Sequence, residues 1–224
     1  IHQIKKKIEE VGKPLKEWNV RIYYGIKTGY DKAFIIDTKT RNKILEGCRT
    51  KEEKERTKKI IRPVLKGRDI KRYFYDWNEL WMIIIPKGWT DSNRGRKDPE
   101  TFIEESFSSL IRHLRRYREQ LEKRYDQGDY WWELRECKYY PEFEKEKIIW
   151  QEMTPEPSFA YDKKGYVSPS SVFMMIGSSN LKFLLGVLNS KIAMFYLTQI
   201  AYTLSKGAIR WKKQYVERIP VPEI

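Results

Sequence analysis

From about Thr101 to Tyr125, apolar side chains recur at Ile103, Phe107, Leu110 (with Ile111 beside it), Leu114, Tyr117 and Leu121. The spacings of four, three, four, three and four put them on one face of a helix. Arg112, Arg115, Arg116, Arg118, Lys123 and Arg124 occupy the other face, and His113 among them reads as a surface residue. A helix this one-sided needs a second layer to cover its stripe. The expected cover is the body of its own domain; the alternative is an interhelical seam with a partner or a second copy.

The rest of the chain supplies strand-length runs for that layer. "LWMIIIP" (Leu80 to Pro86) is continuously apolar and reads as a central strand. "KIIWQEM" from Lys147 and "FAYD" from Phe159 read as strands around a Pro155–Pro157 turn, and "YVSPSSVFMMIG" (Tyr166 to Gly177) contains another. Tyr23 to Asp37, "YYGIKTGYDKAFIID", reads as a hairpin whose return strand is Ala33-Phe34-Ile35-Ile36. Residues 51–61 start as a charged helix that Pro63 ends or redirects. "GDYWWELREC" (Gly128 to Cys137) is aromatic and irregular, and its tryptophan pair is assigned to a core or domain interface. Leu181 to Ala201 is the most apolar stretch, capped by Ser179 or Asn180. Lys182, Asn189, Ser190 and Lys191 interrupt it, which suits a buried helix and not a membrane span.

These runs show no βαβ rhythm and no internal repeat. The expected fold is α+β, with a mixed, mostly antiparallel sheet, a long amphipathic helix and a C-terminal apolar helix. Residues 1–17 read as the end of a preceding helix or a linker, and 18–224 as one domain. The first residue is Ile1 and not Met, which suggests a domain excised from a longer polypeptide.

Charge is the strongest global signal. Lys and Arg number 45 against 31 Asp and Glu, a formal net charge of +14. Such an excess favours a polyanionic partner; a generally lysine-rich composition gives the same number without one. The two cysteines, Cys48 and Cys137, lie far apart, and only His2 and His113 are histidines. That composition disfavours a structural zinc site, which needs four N/S ligands, and suits reduced thiols in a cytoplasmic protein.

Motifs for catalysis are sparse. The sequence has no glycine-rich phosphate loop and no G-x-S-x-G nucleophile elbow. Asp69-Ile70-Lys71 and Asp162-Lys163-Lys164 match the last three positions of the metal-nuclease pattern P-D…[DE]-x-K. The first lacks the preceding partner, and Pro155-Glu156 lies too close to the second. Both read as chance matches.

Three turns concentrate cations beside aromatic or hydroxyl side chains. The opening loop holds Lys27, Thr28, Tyr30 and Lys32. "LKGRDIKRYFY" holds Lys66, Arg68, Lys71 and Arg72 around Gly67. "LSKGAIRWKKQY" holds Lys206, Arg210, Lys212 and Lys213 around Gly207. A cation on a turn can reach a phosphate or the O6/N7 edge of guanine, and a hydroxyl can add a further bond. Lysines also collect wherever turns are wet; three such turns together favour nucleic acid. Trp131, Trp132 and Tyr30 offer the alternative of stacking platforms for RNA or a single strand.

The ordered series "GIKTGYDKAFIID", "IIRPVLKGRDIKRY", "YWWELRECKYYPEFEKEKIIWQEM" and "FLLGVLNSKIAMFYL…YVERIPVP" resembles the TaqI-like C-terminal specificity domain, from about Arg21 to Pro222. That resemblance implies the target recognition domain of an adenine-specific DNA methyltransferase or of an enzyme that fuses methylation with cleavage. It implies double-stranded DNA as partner, together with an N-terminal methyltransferase domain that binds S-adenosylmethionine and carries N-P-P-[YF]. No such motif occurs here, since Asn189 is followed by Ser190; this chain is expected to be non-catalytic, with no cofactor and no membrane of its own. The expected DNA contacts are Lys27, Thr28, Tyr30, Lys66, Arg68, Lys71, Arg72, Lys206, Arg210 and Lys212.

Overall fold

A computed structural model describes residues 2–177, 180–201 and 207–223. The elements run α1 (His2–Val11), β1 (Gly12–Pro14), β2 (Arg21–Tyr24), α2 (Asp31–Phe34), β3 (Ile35–Asp37), α3 (Thr38–Glu46), α4 (Lys51–Ile60), β4 (Ile61–Pro63), β5 (Leu80–Ile83), α5 (Trp89–Arg94), α6 (Pro99–Ser106), α7 (Ser108–Arg115) and α8 (Arg118–Lys123). There follow β6 (Lys147–Gln151), β7 (Met153–Thr154), β8 (Phe159–Asp162), β9 (Val172–Ile176), α9 (Leu181–Leu188), α10 (Lys191–Ile200), β10 (Ile209–Arg210), α11 (Lys213–Val216) and β11 (Pro220–Pro222). The α+β class holds, and every ladder between these strands is antiparallel.

The chain divides into two compact units. The first comprises Ile1–Gly25, Leu65–Trp77 and Pro141–Ile224. Its main sheet has the order β2-β9-β6-β8. β6 and β9 carry buried residues on both faces, so they read as continuous apolar runs and not as alternating ones. Ile148, Trp150, Phe173 and Met175 join Leu184, Leu188 and Trp211 in the core. β1 pairs with β11, and Leu15 is fully buried in the core of this unit.

The second unit comprises Ile26–Val64 and Asn78–Tyr140. β5 is central in its sheet, β3-β5-β4, as the run at Leu80 predicts. The stripe residues Ile103, Phe107, Leu110, Ile111, Leu114 and Leu121 are buried in the fold. His113 is buried with them, not on the surface. Its Nε2–H donates to the Ala33 carbonyl at 3.1 Å, and desolvation holds its pKa below the usual 6.5.

Three expected elements are corrected. Tyr23 to Asp37 is not a hairpin: β2 pairs with β9 in one unit and β3 with β5 in the other, and Ala33 and Phe34 close a single helical turn. The long helix is three helices. Phe107 leaves the helical region at φ −145° and ψ 52°, and the buried Glu53 carboxylate accepts from Ser108 Oγ (2.8 Å) and Ser109 N (3.2 Å). That carboxylate serves as an N-cap for α7 supplied from another helix. The C-terminal apolar helix also breaks, with a 67° bend between α9 and α10. Asn189 spends its side chain outside the helix, and Ser190 Oγ accepts from Ala193 N to start α10. The α9 cap falls on Asn180, which makes no side-chain capping bond; Ser179 lies outside the described residues. No single helix among the described residues is long and apolar enough to cross a membrane.

Candidate nucleic-acid interface

In the first unit, the turn around Gly67 is folded by Asp69. This carboxylate is buried, and its Oδ2 accepts from Lys66 N at 2.8 Å. Gly67 lies close against Gln151, whose side chain would have to move to admit a Cβ there, at 2.7 Å. Arg68 projects outward with its side chain 72% exposed, 3.8 Å from Asp69. Lys71 is exposed too, its ammonium donating to the Arg68 carbonyl at 2.8 Å. Arg72 is less available than expected: Nη2 donates to the Asn189 carbonyl at 2.8 Å.

Two buried polar residues hold this segment to β8. Asn189 accepts from Phe159 N (3.0 Å) and donates to Phe159 O (2.9 Å). Asp162 accepts from Tyr75 Oη (3.2 Å), Lys164 N (2.9 Å) and Tyr166 N (3.0 Å), and pairs with the buried Lys147 ammonium at 2.6 Å. Burial and the Asp162 charge push the Tyr75 phenol up from its usual range. Asp69 and Asp162, the carboxylates of the two nuclease-like fragments, are thus occupied with shaping the backbone.

The second basic turn of this unit meets β6 at the same end. Trp211 is buried, donates from its N–H to the Glu152 carbonyl at 2.7 Å, and accepts from Trp150 Nε1 at 2.7 Å. Lys212 is half-buried and lies 3.5 Å from the Glu152 carboxylate, so its charge is partly neutralised. Arg210 is half-buried on β10, and its Nε has no hydrogen-bond partner among the described residues. Lys206 lies outside the described residues. Gly67 packs on Gln151 and Trp211 on Glu152, so the turns at 66–72 and 207–213 flank consecutive residues leaving β6.

The opening loop belongs to the second unit. Thr28 is buried, not presented: its hydroxyl donates to Asp31 Oδ1 at 2.5 Å. Lys27 and Tyr30 are half-buried and Lys32 is exposed. The clamp on this loop is Arg124, assigned from sequence to a solvated helix face but only 7% exposed. Nη1 donates to the Thr28 carbonyl at 2.6 Å, and Nη2 donates to those of Trp131 (2.7 Å) and Glu133 (2.5 Å). Its guanidinium also lies 4.6 Å from the Phe34 ring, and desolvation lowers its pKa to about 10. Gly29 adopts φ +67° against this clamp, where a Cβ would meet the Asp126 carbonyl at 2.9 Å.

Two of the three rings offered as stacking platforms for single strands are buried. Trp132 is 1% exposed, Trp131 is buried beside it, and Trp132 Nε1 donates to the buried Thr90 hydroxyl. Neither Arg124 nor Asn189 was picked out as functional from sequence. An Asn inside an apolar run was the available signal for the second.

On these turns, exposed cations sit on backbone that buried polar groups hold in shape. The chain belongs to the TaqI-like C-terminal specificity domain family, which matches residues 62–221. The match takes in the turns at 66–72 and 207–213 and leaves out the opening loop. Two solved structures share the fold. One is the Type IIL restriction-modification enzyme MmeI, solved in complex with DNA. It aligns at a TM-score of 0.63 and 12% identity over 92% of this chain and 25% of that one. The other is the type IIG restriction endonuclease BpuSI, at 0.56 and 11% over 99% and 26%. The chain therefore spans about a quarter of the length of each.

Proposed function

We propose that this chain is the non-catalytic target recognition domain of a restriction-modification enzyme and that it binds double-stranded DNA sequence-specifically. One observation carries the reading: two cationic turns flank the same end of β6 in a member of a specificity-domain family. Arg68, Lys71 and Arg210 are the foremost contacts, with Lys66, Lys27 and Tyr30 behind them. Lys206 and Lys212 add charge. Thr28 and Arg72 act by holding their loops.

The partner within the same polypeptide would be an N-terminal, adenine-specific methyltransferase domain, which would hold S-adenosylmethionine and flip the target base. Flipping costs a few kcal/mol of unstacking, and contacts made by this domain would offset part of it. A reducing cytoplasm suits such a reader, and the free thiols of Cys48 and Cys137 are compatible with it.

Anisotropy titration of labelled duplex DNA tests the reading. Binding should weaken steeply between ~50 and ~200 mM salt, because released counterions dominate the affinity. Arg68→Ala and Lys71→Ala should each lower the log–log salt slope by about 1 if each neutralises a phosphate. A folded chain that ignores duplex DNA at low salt, or that prefers RNA or single strands in competition, sinks it.

A further inference from the structure

The segment between the two anchored ends of the 66–77 turn carries more than cations. Lys71 N–H donates to the Phe74 carbonyl at 2.8 Å, and Ile70 bridges Tyr75, so residues 71–74 form a tight hairpin tip. At that tip Tyr73 is 47% and Phe74 57% exposed, two adjacent large rings left in solvent. The tip is not loose. Tyr73 N–H donates to the Phe159 carbonyl at 2.7 Å, and Tyr73 forms a parallel bridge with Ala160 on β8, the edge strand of the main sheet.

Tyr73 also sits at φ +77°. Only Asn19 and Glu79 share a positive φ among the described non-glycine residues, and neither is aromatic. This is a turn position where glycine or asparagine carries less strain. An aromatic residue occupies it here, and the Arg72 guanidinium lies 5.4 Å from its ring while bonded to Asn189. Exposed rings, flanking cations and a pinned backbone are the ingredients of a wedge that enters a base step.

We infer that Phe74, supported by Tyr73, is a wedge that stacks against an opened base step of the bound duplex. The inference rests on the DNA-binding reading and deepens it. Phe74 reads how readily a step unstacks, whereas Arg68 and Lys71 supply charge. Flexible pyrimidine–purine steps are the chemistry this favours. The rings are neutral, so their contribution is independent of salt.

The test uses duplexes enriched on the wild-type chain from a random-sequence pool, with 2-aminopurine placed in turn at each position. Wild-type binding should raise the fluorescence at one step. Phe74→Ala should lose about tenfold in affinity, the scale of one base stack. It should also abolish the fluorescence rise and keep the wild-type salt slope. Tyr73→Gly, which relieves the left-handed strain, checks that the loss follows the rings and not misfolding; it should weaken binding with an unchanged circular-dichroism spectrum. Unchanged affinity in Phe74→Ala, or a persisting fluorescence rise, overturns the wedge while duplex binding itself stands. Failure to enrich any duplex overturns the underlying reading instead.

Discussion

The loop at 26–32 and the turn at 66–72 solve the same problem with opposite charges. Each must hold cation-bearing backbone in one shape. The first is gathered by a buried cation: Arg124 donates to carbonyls of Thr28, Trp131 and Glu133. The second is gathered by buried acceptors: Asp69 takes the N–H of Lys66, and Asp162, with Lys147 as its counter-ion, takes the Tyr75 hydroxyl where the segment returns. A guanidinium suits converging carbonyls because its donors fan out in a plane. A carboxylate suits converging N–H groups because it accepts at several sites. In both units, buried charge shapes the loop and exposed charge is left for a partner.

The two clamps should differ in cost. Asp162→Ala leaves the Lys147 ammonium buried without its carboxylate, so it should destabilise the chain by about 3–5 kcal/mol in urea unfolding. Lys147→Met combined with Asp162→Leu should recover much of that, since the pair is then replaced by apolar volume. Full loss in the double variant would mean that the N–H groups collected by Asp162 matter more than the ion pair.

Arg124→Met strips donors from five carbonyls and should cost about 2–3 kcal/mol, the scale of unsatisfied buried groups. Arg124→Lys should restore only part, because an ammonium lacks the planar fan. A lysine variant as stable as wild type would remove the distinction drawn between the two clamps.

Gly29→Ala probes the shape that Arg124 imposes. The substitution meets the Asp126 carbonyl and forces φ +67° on a residue with a Cβ, so about 1–2 kcal/mol should be lost. The equivalent change at Gly88 has open space around it and should cost less, through φ +78° alone. Differential scanning calorimetry of the two variants side by side makes that comparison.

The smallest effect is a pH dependence. The folded-state pKa of His113 lies below 6.5 because burial disfavours the imidazolium, with Arg116 adding to that. Below 6.5 the unfolded chain therefore binds more protons than the folded one, and stability falls as pH falls through that window. His113→Asn should flatten the urea midpoint between about pH 7 and pH 5; an unchanged slope would assign the dependence to other groups.

Much of this molecule was legible in the order of its residues. Strand-length runs at Leu80, Lys147 and Phe159 became strands, because short apolar runs suit strands of a covered sheet. Cations on turns and the family pattern were readable for the same reason: they depend on residue type and order.

What only the tertiary structure decided involves partners distant in sequence. Glu53 cuts the long helix at Phe107, and Asn189 cuts the apolar helix by serving Phe159, although the helical periodicity runs through both breaks. Ile22 and Ile35 flank one loop but enter different sheets, since register is set by β9 and β5 and not by each other. Arg124 and Arg68 are the same residue type on polar stretches. One is buried where five carbonyls converge on it and the other projects into solvent, and only the folded chain brings those carbonyls together.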